Sequence, residues 1–209
     1  LHPDASFFET RTRVTNRTPI RHSFLMWQNA AVPVNDDYQF IFPPDVNYVT
    51  NHHHANRAPL TYPMAQGDYV GAYYDEPTDI SWYKNNAYAT SHFAAPSKYD
   101  FFGGYDHGKK AGVIHIANHH VSPGKKMFTW GLSKLAKSWE QALTDTDGPY
   151  CELMAGSYSN NQPDFTWLNP YETKCFSEFW YPVGPLGKAS FATLEAAVHV
   201  DLAGGTLRV

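Results

Sequence analysis

One acidic side chain interrupts an otherwise apolar segment, YCELMAG, at residues 150–156. If this segment is a strand, its side chains alternate between two faces, and Glu152 shares a face with Tyr150 and Met154. A carboxyl group partly shielded from water by such neighbours has a raised pKa, which suits it to general acid–base catalysis. The alternative is a strand glutamate that faces solvent, and the pattern alone leaves both interpretations open.

Imidazole groups are candidate partners for such a carboxylate. The segment IHIANHHVSPGKKMFTWG, residues 114–131, places His119 and His120 at the end of an alternating run. Neighbouring residues of a strand point to opposite faces, so at most one of the two can face a given site. The alternative is a solvated or structurally bonded pair at a strand end.

Two further groups of titratable residues lie in turn-like segments. The glycine-rich FFGGYDHGKKAG is most simply a hairpin turn, but it brings Asp106 and His107 close together and makes them a reserve acid–base pair. Consecutive residues of an extended chain do not all reach one ion, and no HExxH-type spacing is present. The triplet at residues 52–54 therefore does not predict a metal site.

Amide and aromatic side chains are mixed in the segment NNQPDFTWL, residues 160–168. Hydrogen-bonding amides beside stacking rings are what a pyranose ring requires of its binding site. The alternative is a turn held by Asn and Asp side chains. The candidate sugar-binding residues are Trp130, Trp167, Asn161, Gln162 and Asp164.

Alternation of apolar and polar residues predicts the strands that must position these groups. Segments such as AGVIHIANHH, MFTWG and KCFSEFWYPV alternate, and clusters of Pro, Gly, Asn and Asp separate them. Helical spacing is confined to LSKLAKSWEQALTD, where one face carries Leu132, Leu135, Trp139 and Leu143. The pattern predicts an all-β fold, an antiparallel sandwich or barrel with one short helix. The polar stretch between about Asn47 and Trp82 is expected to be a long functional or covering loop.

Composition limits the possible partners. Of 209 residues, 43% are hydrophobic and 17% charged, which predicts a folded chain, and 16% are aromatic, more than packing alone requires. The net charge of −4 without a basic stripe argues against nucleic acid, and no apolar run approaches the roughly 20 residues that span a bilayer. Two cysteines without a CxxC pair predict neither a disulfide framework nor zinc.

The character of the chain changes near Gly184. The segment VGPLGKAS resembles a linker, whereas ATLEAAVHVDLAGGTLRV alternates like the opening of another β unit. We therefore predict a β-sandwich domain over residues 1–185 and the start of a second small β domain over residues 186–209, with LAGG as a hairpin turn. This hairpin should lean on the first domain or be poorly ordered. The chain begins without methionine and is expected to be part of a longer protein.

Several long motifs together resemble a known family. They include WQNAAVPV, QFIFP, ISWYKN, FFGGYDHGKKAGVIHIANHHVSPGKKMFTWG and LTDTDGPYCELMAGSYSNNQPDFTWLNPYETKCFSEFWYPV. Over residues 7–183 the chain resembles an uncharacterised bacterial domain found near the N-terminus of proteins that continue into tetratricopeptide repeats. That family is similar to the galactose-mutarotase-like supersandwich. Its N-terminal sheet is not recognisable here, so the sandwich is expected to be incomplete.

The resemblance implies a concave sheet face that binds carbohydrate. Mutarotases of this architecture use a His as acid and a Glu as base, and the positions that could match are Glu152 with His119 or His120. Asp106 and His107 are in reserve. No cofactor is implied. The expected partners are carbohydrate and a downstream repeat domain of the same chain.

Three hypotheses follow. The first is a carbohydrate-active enzyme of the hydrolase, lyase or epimerase type, in which Glu152 acts with one of the histidines. The second is a non-catalytic carbohydrate-binding module, which keeps the aromatic platform and dispenses with the acid–base pair. The third is an interaction scaffold for tetratricopeptide repeats, whose aromatic patch would be large and flat rather than a cleft.

Overall fold

Antiparallel strands make up most of the regular structure. The computed structural model describes residues 3–51, 59–94, 96–158 and 165–209. The strands of the first half are β1 (Phe8–Thr15), β2 (His22–Phe24), β3 (Trp27–Pro33), β4 (Tyr38–Ile41), β5 (Tyr48–Asn51), β6 (Leu60–Thr61), β7 (Met64–Tyr69), β8 (Ala72–Asp79), β9 (Thr90–Ala94) and β10 (Phe101–Asp106). The remaining elements are β11 (Ala111–Ala117), β12 (Gly124–Thr129), α1 (Lys134–Thr144), β13 (Tyr150–Gly156), β14 (Thr166–Leu168), β15 (Thr173–Val183), β16 (Phe191–Ala192), β17 (Ala197–Val198), β18 (Asp201–Ala203) and β19 (Thr206–Arg208). A short 3-10 helix spans Tyr83–Asn85.

Two sheets form the main architecture. One has the strand order β1-β15-β11-β10-β4, and the other has the order β3-β13-β12-β9-β5-β6. Side chains from facing strands of both sheets form one buried cluster, with members such as Phe40, Phe102, Met127, Leu153 and Trp180. The predicted antiparallel β-sandwich with one α-helix is confirmed. None of the helices in the described part of the chain is long and apolar enough to cross a membrane.

The stretch between Asn47 and Trp82 is not the long loop that the polar composition predicts. Its described residues contain β5, β6 and the β7–β8 hairpin. The hairpin carries Tyr69 into the buried cluster, so polar and aromatic residues alternate here on a strand pair. Polar composition misleads here because one face of an antiparallel hairpin can remain solvated.

Helix α1 lies at the surface. Ser133 caps it, because the Ser133 hydroxyl accepts a hydrogen bond from the Ala136 backbone N–H at 3.2 Å. The apolar stripe expected from the sequence is present, but Ala136 is the residue of this helix that is buried. The members of the stripe are exposed: Leu132, Leu135, Trp139 and Leu143.

The last 26 residues lie outside the two main sheets. β16 pairs with β17, and β18 pairs with β19 across Gly204 and Gly205, within the predicted LAGG turn. Ala189 and Ala192 pack with the outer face of the five-stranded sheet, and the Tyr181 hydroxyl donates to the Thr193 carbonyl at 2.8 Å. The domain boundary at residue 185 remains a prediction.

A polar network crosses the interior between the sheets. The buried Glu178 carboxylate accepts hydrogen bonds from the Ser122 hydroxyl at 2.6 Å and from the Gln28 amide. It also lies 3.7 Å from Nε2 of His115, whose pKa is lowered by burial despite that carboxylate. The Trp180 indole N–H donates to Gln28 at 3.2 Å. The network therefore links β3 of one sheet to β15 of the other.

A second buried polar group, His92 of β9, is surrounded by rings. Tyr62 and Tyr69 each approach it edge-on, with ring centroids 6.0 Å from that of His92. Neither nitrogen of His92 has a hydrogen-bond partner among the described residues. Burial alone lowers the pKa of His92 to about 3, so the ring is neutral in the folded protein at physiological pH.

Candidate functional site

The face of the six-stranded sheet that points away from the core carries the candidate site. Cys151, Leu153 and Ala155 of β13 belong to the core cluster, so the intervening residues face outward. Glu152 therefore lies on the outer face with Tyr150 and Met154, as the alternation predicts. In the sheet register, Glu152 is paired with Ala31 of β3 on one side and with Phe128 of β12 on the other.

The Glu152 carboxylate is half-buried and hydrogen-bonded to the neighbouring strand β3. Asn29 of β3 donates its side-chain N–H to Oε2 of Glu152 at 3.2 Å. Tyr150 lies two residues away on the same face of β13. Burial raises the pKa of Glu152, while the Lys126 charge and the nearby Tyr150 side chain oppose the rise. The result is a partly accessible carboxyl group that is easier to protonate than a solvated glutamate.

Tyr150 connects this carboxylate to an aromatic stack. The Trp130 indole N–H donates to the Tyr150 hydroxyl oxygen at 3.2 Å, and Tyr150 shares its face of β13 with Glu152. Trp130 stacks on Trp139 of α1, with ring centroids 5.3 Å apart and planes 14° from parallel. Phe128 meets Trp130 edge-on at 5.0 Å. The helix thus contributes an indole, 43% exposed, beside the sheet.

A cavity of about 560 Å³ lies against this arrangement. Its lining residues come from β3, β13, the C-terminal end of α1 and the turn after the helix: Asn29, Ala31, Val32, Pro33, Leu143, Thr144, Asp147, Gly148, Pro149, Tyr150 and Glu152. Its volume is within the usual range of small-molecule sites, about 300–1,000 Å³. Glu152, Tyr150 and Asn29 supply the polar groups near one another, and Asp147 adds a second carboxylate to the lining.

Lys126 is a functional candidate that sequence reasoning missed. Its ammonium group lies 4.4 Å from the Trp27 ring centroid and 4.5 Å from the Phe93 ring centroid. Burial lowers the pKa of Lys126 to about 8, against the opposing attraction of Glu152. The alternation of the strand could have identified it. Lys126 precedes the outward-facing Phe128 by two residues, so it also faces outward on a strand whose other residues are mostly buried.

Replacing Lys126 by Met is expected to raise the pKa of Glu152 further, because the variant removes the nearby positive charge that favours the carboxylate. Carbon-13 NMR titration of the glutamate carboxyl groups measures this shift. Lys125→Met is the matched control. Lys125 occupies the adjacent position on the opposite face and interacts with Asp100 and Asp45 instead. If the pKa of Glu152 shifts equally in the two variants, or does not shift in Lys126→Met, the Lys126 charge does not act on Glu152 as the structure indicates.

His119 and His120 lie in a turn and not on a strand. β11 ends at Ala117, so the two rings do not point to opposite faces, and their centroids are 4.0 Å apart. Nδ1 of His119 lies 2.7 Å from the Asp100 carboxylate. This turn precedes Gly124, the first residue of β12, whereas Glu152 is opposite Phe128 of the same strand. At the usual rise per residue, Gly124 and Phe128 are about 13 Å apart along the strand. The structure does not bring these histidines into contact with Glu152.

Asp106 and His107 form the predicted hairpin end but have separate structural partners. Asp106 accepts hydrogen bonds from Asn35 at 2.7 Å and from the Lys109 backbone at 2.8 Å. Burial tends to raise the pKa of Asp106, but these bonds and the Lys109 charge lower it overall. His107 stacks on Trp82, with 4.9 Å between the ring centroids. This pair stabilises the hairpin and is not at the Glu152 cavity.

The remaining sequence candidates are on other parts of the chain. Trp167 lies on β14, which pairs with β2, and the Arg21 guanidinium is 4.8 Å from its ring centroid. Asn161, Gln162 and Asp164 lie outside the described residues, as does the triplet at residues 52–54. Within the part of the chain that the structure describes, no three His, Cys, Asp or Glu side chains are arranged to hold a metal ion.

The fold belongs to a recognised structural class. A tetratricopeptide-repeat-domain protein from Parabacteroides distasonis superposes with a TM-score of 0.71 at 24% identity, covering 92% of this chain and 31% of that one. A putative aldose 1-epimerase from Klebsiella pneumoniae (TM-score 0.53, 10% identity) covers 87% of this chain and 44% of that one. A galactose mutarotase-like protein from Lactobacillus casei (0.52, 13%) covers 84% and 58% respectively. The chain thus spans about a third to somewhat more than half the length of these proteins.

The particular family follows from the sequence itself. Residues 1–183 match a domain of unknown function, DUF5107, and the chain belongs to this family. The family description and the structural neighbours together confirm the resemblance drawn from the motifs, to an uncharacterised domain with a galactose mutarotase-like sandwich. The likeness to the epimerases concerns the fold, because identities near 10% do not establish a shared site.

Proposed function

We propose that this domain binds carbohydrate in the cavity beside Glu152. The observation that carries the proposal is a partly buried carboxylate that is hydrogen-bonded to an amide and lines one cavity together with a phenol, with stacked indoles next to them. Sugar hydroxyls need acceptors and donors of these types, while the C–H faces of a pyranose pack on aromatic rings. The fold supports the proposal more weakly, since related architectures include proteins described as putative aldose 1-epimerases.

Acid–base catalysis on the bound sugar is the second candidate, and the raised pKa of Glu152 favours it. A carboxyl group of this kind can accept a proton from a sugar hydroxyl or donate one to a departing oxygen. Tyr150, which lines the same cavity as Glu152, is then the candidate second group for the proton transfer. His119 and His120, about 13 Å further along the ladder, are not partners of Glu152 in this candidate.

Replacing Glu152 by Gln separates the two candidates. Gln keeps the shape and much of the hydrogen bonding but has no acid–base function. If the domain only binds sugar, we expect the affinity to change by less than about tenfold, the effect of roughly one altered hydrogen bond. If the domain is catalytic, we expect turnover to fall about 10²–10⁴-fold with binding largely kept. Calorimetric binding and polarimetry over a panel of mono- and oligosaccharides measure both.

The control is Glu76→Gln, which changes an exposed carboxylate of the β7–β8 hairpin away from the cavity lining. This variant should match the wild-type protein in both assays. The proposal fails if no sugar of the panel binds the wild-type protein at millimolar concentration. It also fails if Glu76→Gln and Glu152→Gln alter binding equally.

A further inference from the structure

The indole of Trp139 is a rigid, accessible surface next to the cavity. One of its faces lies on Trp130, which is fixed in turn by its hydrogen bond to Tyr150. The Trp139 side chain is nevertheless 43% exposed. A ring that is already ordered loses little conformational entropy when a ligand packs on it, so an exposed and immobilised indole favours stacking.

This indole is the helical neighbour of one residue that lines the cavity. Leu143 lines the cavity, and Trp139 precedes it by four residues on α1, so the two side chains are neighbours on one face of the helix. Trp139 stacks on Trp130, whose indole donates to Tyr150, and Tyr150 lies two residues before Glu152 on the same face of β13. A sugar chain with one ring on Trp139 would extend in this direction towards Glu152.

The charge of the lining restricts the kind of sugar. Glu152 and Asp147 line the cavity, and its described lining residues include no Lys, Arg or His. The nearby positive charge of Lys126 is buried between Trp27 and Phe93. Uronates and sulfated or phosphorylated sugars would therefore meet like charge without a cation to pair with.

We propose that the ligand is a neutral oligosaccharide, with one ring at Glu152 and a further ring stacked on Trp139. This inference rests on the proposed function and specifies its substrate class. It assigns Trp139 a binding role that the sequence does not predict, because the helical spacing identifies this residue only as part of an apolar stripe.

The test is a length series. Calorimetry uses glucose-, galactose-, mannose- and N-acetylglucosamine-based saccharides of one to four units, together with oligogalacturonates of the same lengths. We expect affinity for at least one neutral series to rise between one unit and three. Trp139→Ala should remove this gain, about tenfold, and change the affinity for the single unit by less than about twofold. Trp139→Phe should keep part of it.

Leu135→Ala is the matched control, because Leu135 lies on the same helix, is 65% exposed and is not among the residues that line the cavity. It should leave the whole series unchanged. An affinity that is independent of length, or tightest binding of oligogalacturonate, overturns the inference while leaving sugar binding intact. Absence of binding for every sugar overturns the proposed function as well. If Trp139→Ala and Leu135→Ala instead abolish self-association in sedimentation and sugar affinity is unaffected, the helix is a protein interface and the inference is wrong.

Discussion

Acidification from pH 6.5 to pH 4 is expected to lower the free energy of unfolding, and replacing His92 by Phe should remove about 3 kcal/mol of that loss. The folded protein holds His92 neutral with a pKa of about 3, whereas an unfolded histidine titrates near 6.5. Between these values the unfolded chain binds the extra proton. The stability linked to His92 is therefore fully present above about pH 6.5 and is lost as the pH falls towards 3.

The magnitude follows from about 1.4 kcal/mol for each pH unit over this window. Urea unfolding at several pH values measures the slope for each variant. Phe fills the space between Tyr62 and Tyr69 and carries no titratable group, but its larger ring can itself cost about 1–3 kcal/mol at all pH values. The change in the free energy of unfolding per pH unit is therefore the quantity to compare between variants. His22→Gln, at an exposed histidine of β2, should keep the wild-type slope. An unchanged slope in His92→Phe would show that another group controls acid unfolding.

Replacing Glu178 by Ala should lower the free energy of unfolding by about 3–5 kcal/mol, because two buried hydrogen bonds to a carboxylate are lost, at about 1.5–3 kcal/mol each. The change leaves the Ser122 hydroxyl without its acceptor and opens a cavity between the sheets. The Gln28 amide loses one of its two acceptors and keeps the Thr10 hydroxyl. Denaturant unfolding at pH 7 measures the effect. Glu178→Gln keeps an acceptor oxygen and should lose less.

Glu76→Ala again provides the comparison, since truncation of an exposed side chain changes stability by less than about 0.5 kcal/mol. Equal losses for Glu178→Ala and Glu178→Gln would mean that the charge, and not the hydrogen bonding, matters at this position. A loss below 1 kcal/mol for Glu178→Ala would contradict the structural role of the network.

The local sequence pattern correctly predicts structural features that depend on a single strand, helix or hairpin. The alternation around Glu152 predicts its face correctly, because Cys151 and Leu153 enter the core and force the carboxylate outward. The helix is also predicted, since the apolar residues whose spacing indicates it are close together in the chain. The glycine-rich segment around Asp106 forms the hairpin that its composition indicates.

Features that require several strands were not predictable in this way. Lys126 is enclosed by Trp27 of β3 and Phe93 of β9, so its environment depends on the strand order of the sheet. For a related reason, the sequence did not predict that Glu152 and His119 lie apart in the structure. The sequence suggests that both are strand residues but gives neither the register nor the end of β11 at Ala117. The stacking of Trp139 on Trp130 likewise depends on where the helix packs.

The pairing of β1 with β15 has a consequence for how the protein is made. Thr10 and Glu178 are partners in this ladder although 168 residues separate them in the chain. Ladders between such distant segments form slowly, because a long loop must close before the contacts are gained. During synthesis β1 therefore has no ladder partner until β15 has also left the ribosome. Glu9, Arg11 and Arg13 give this strand charged side chains, which disfavour pairing of an exposed strand with other chains.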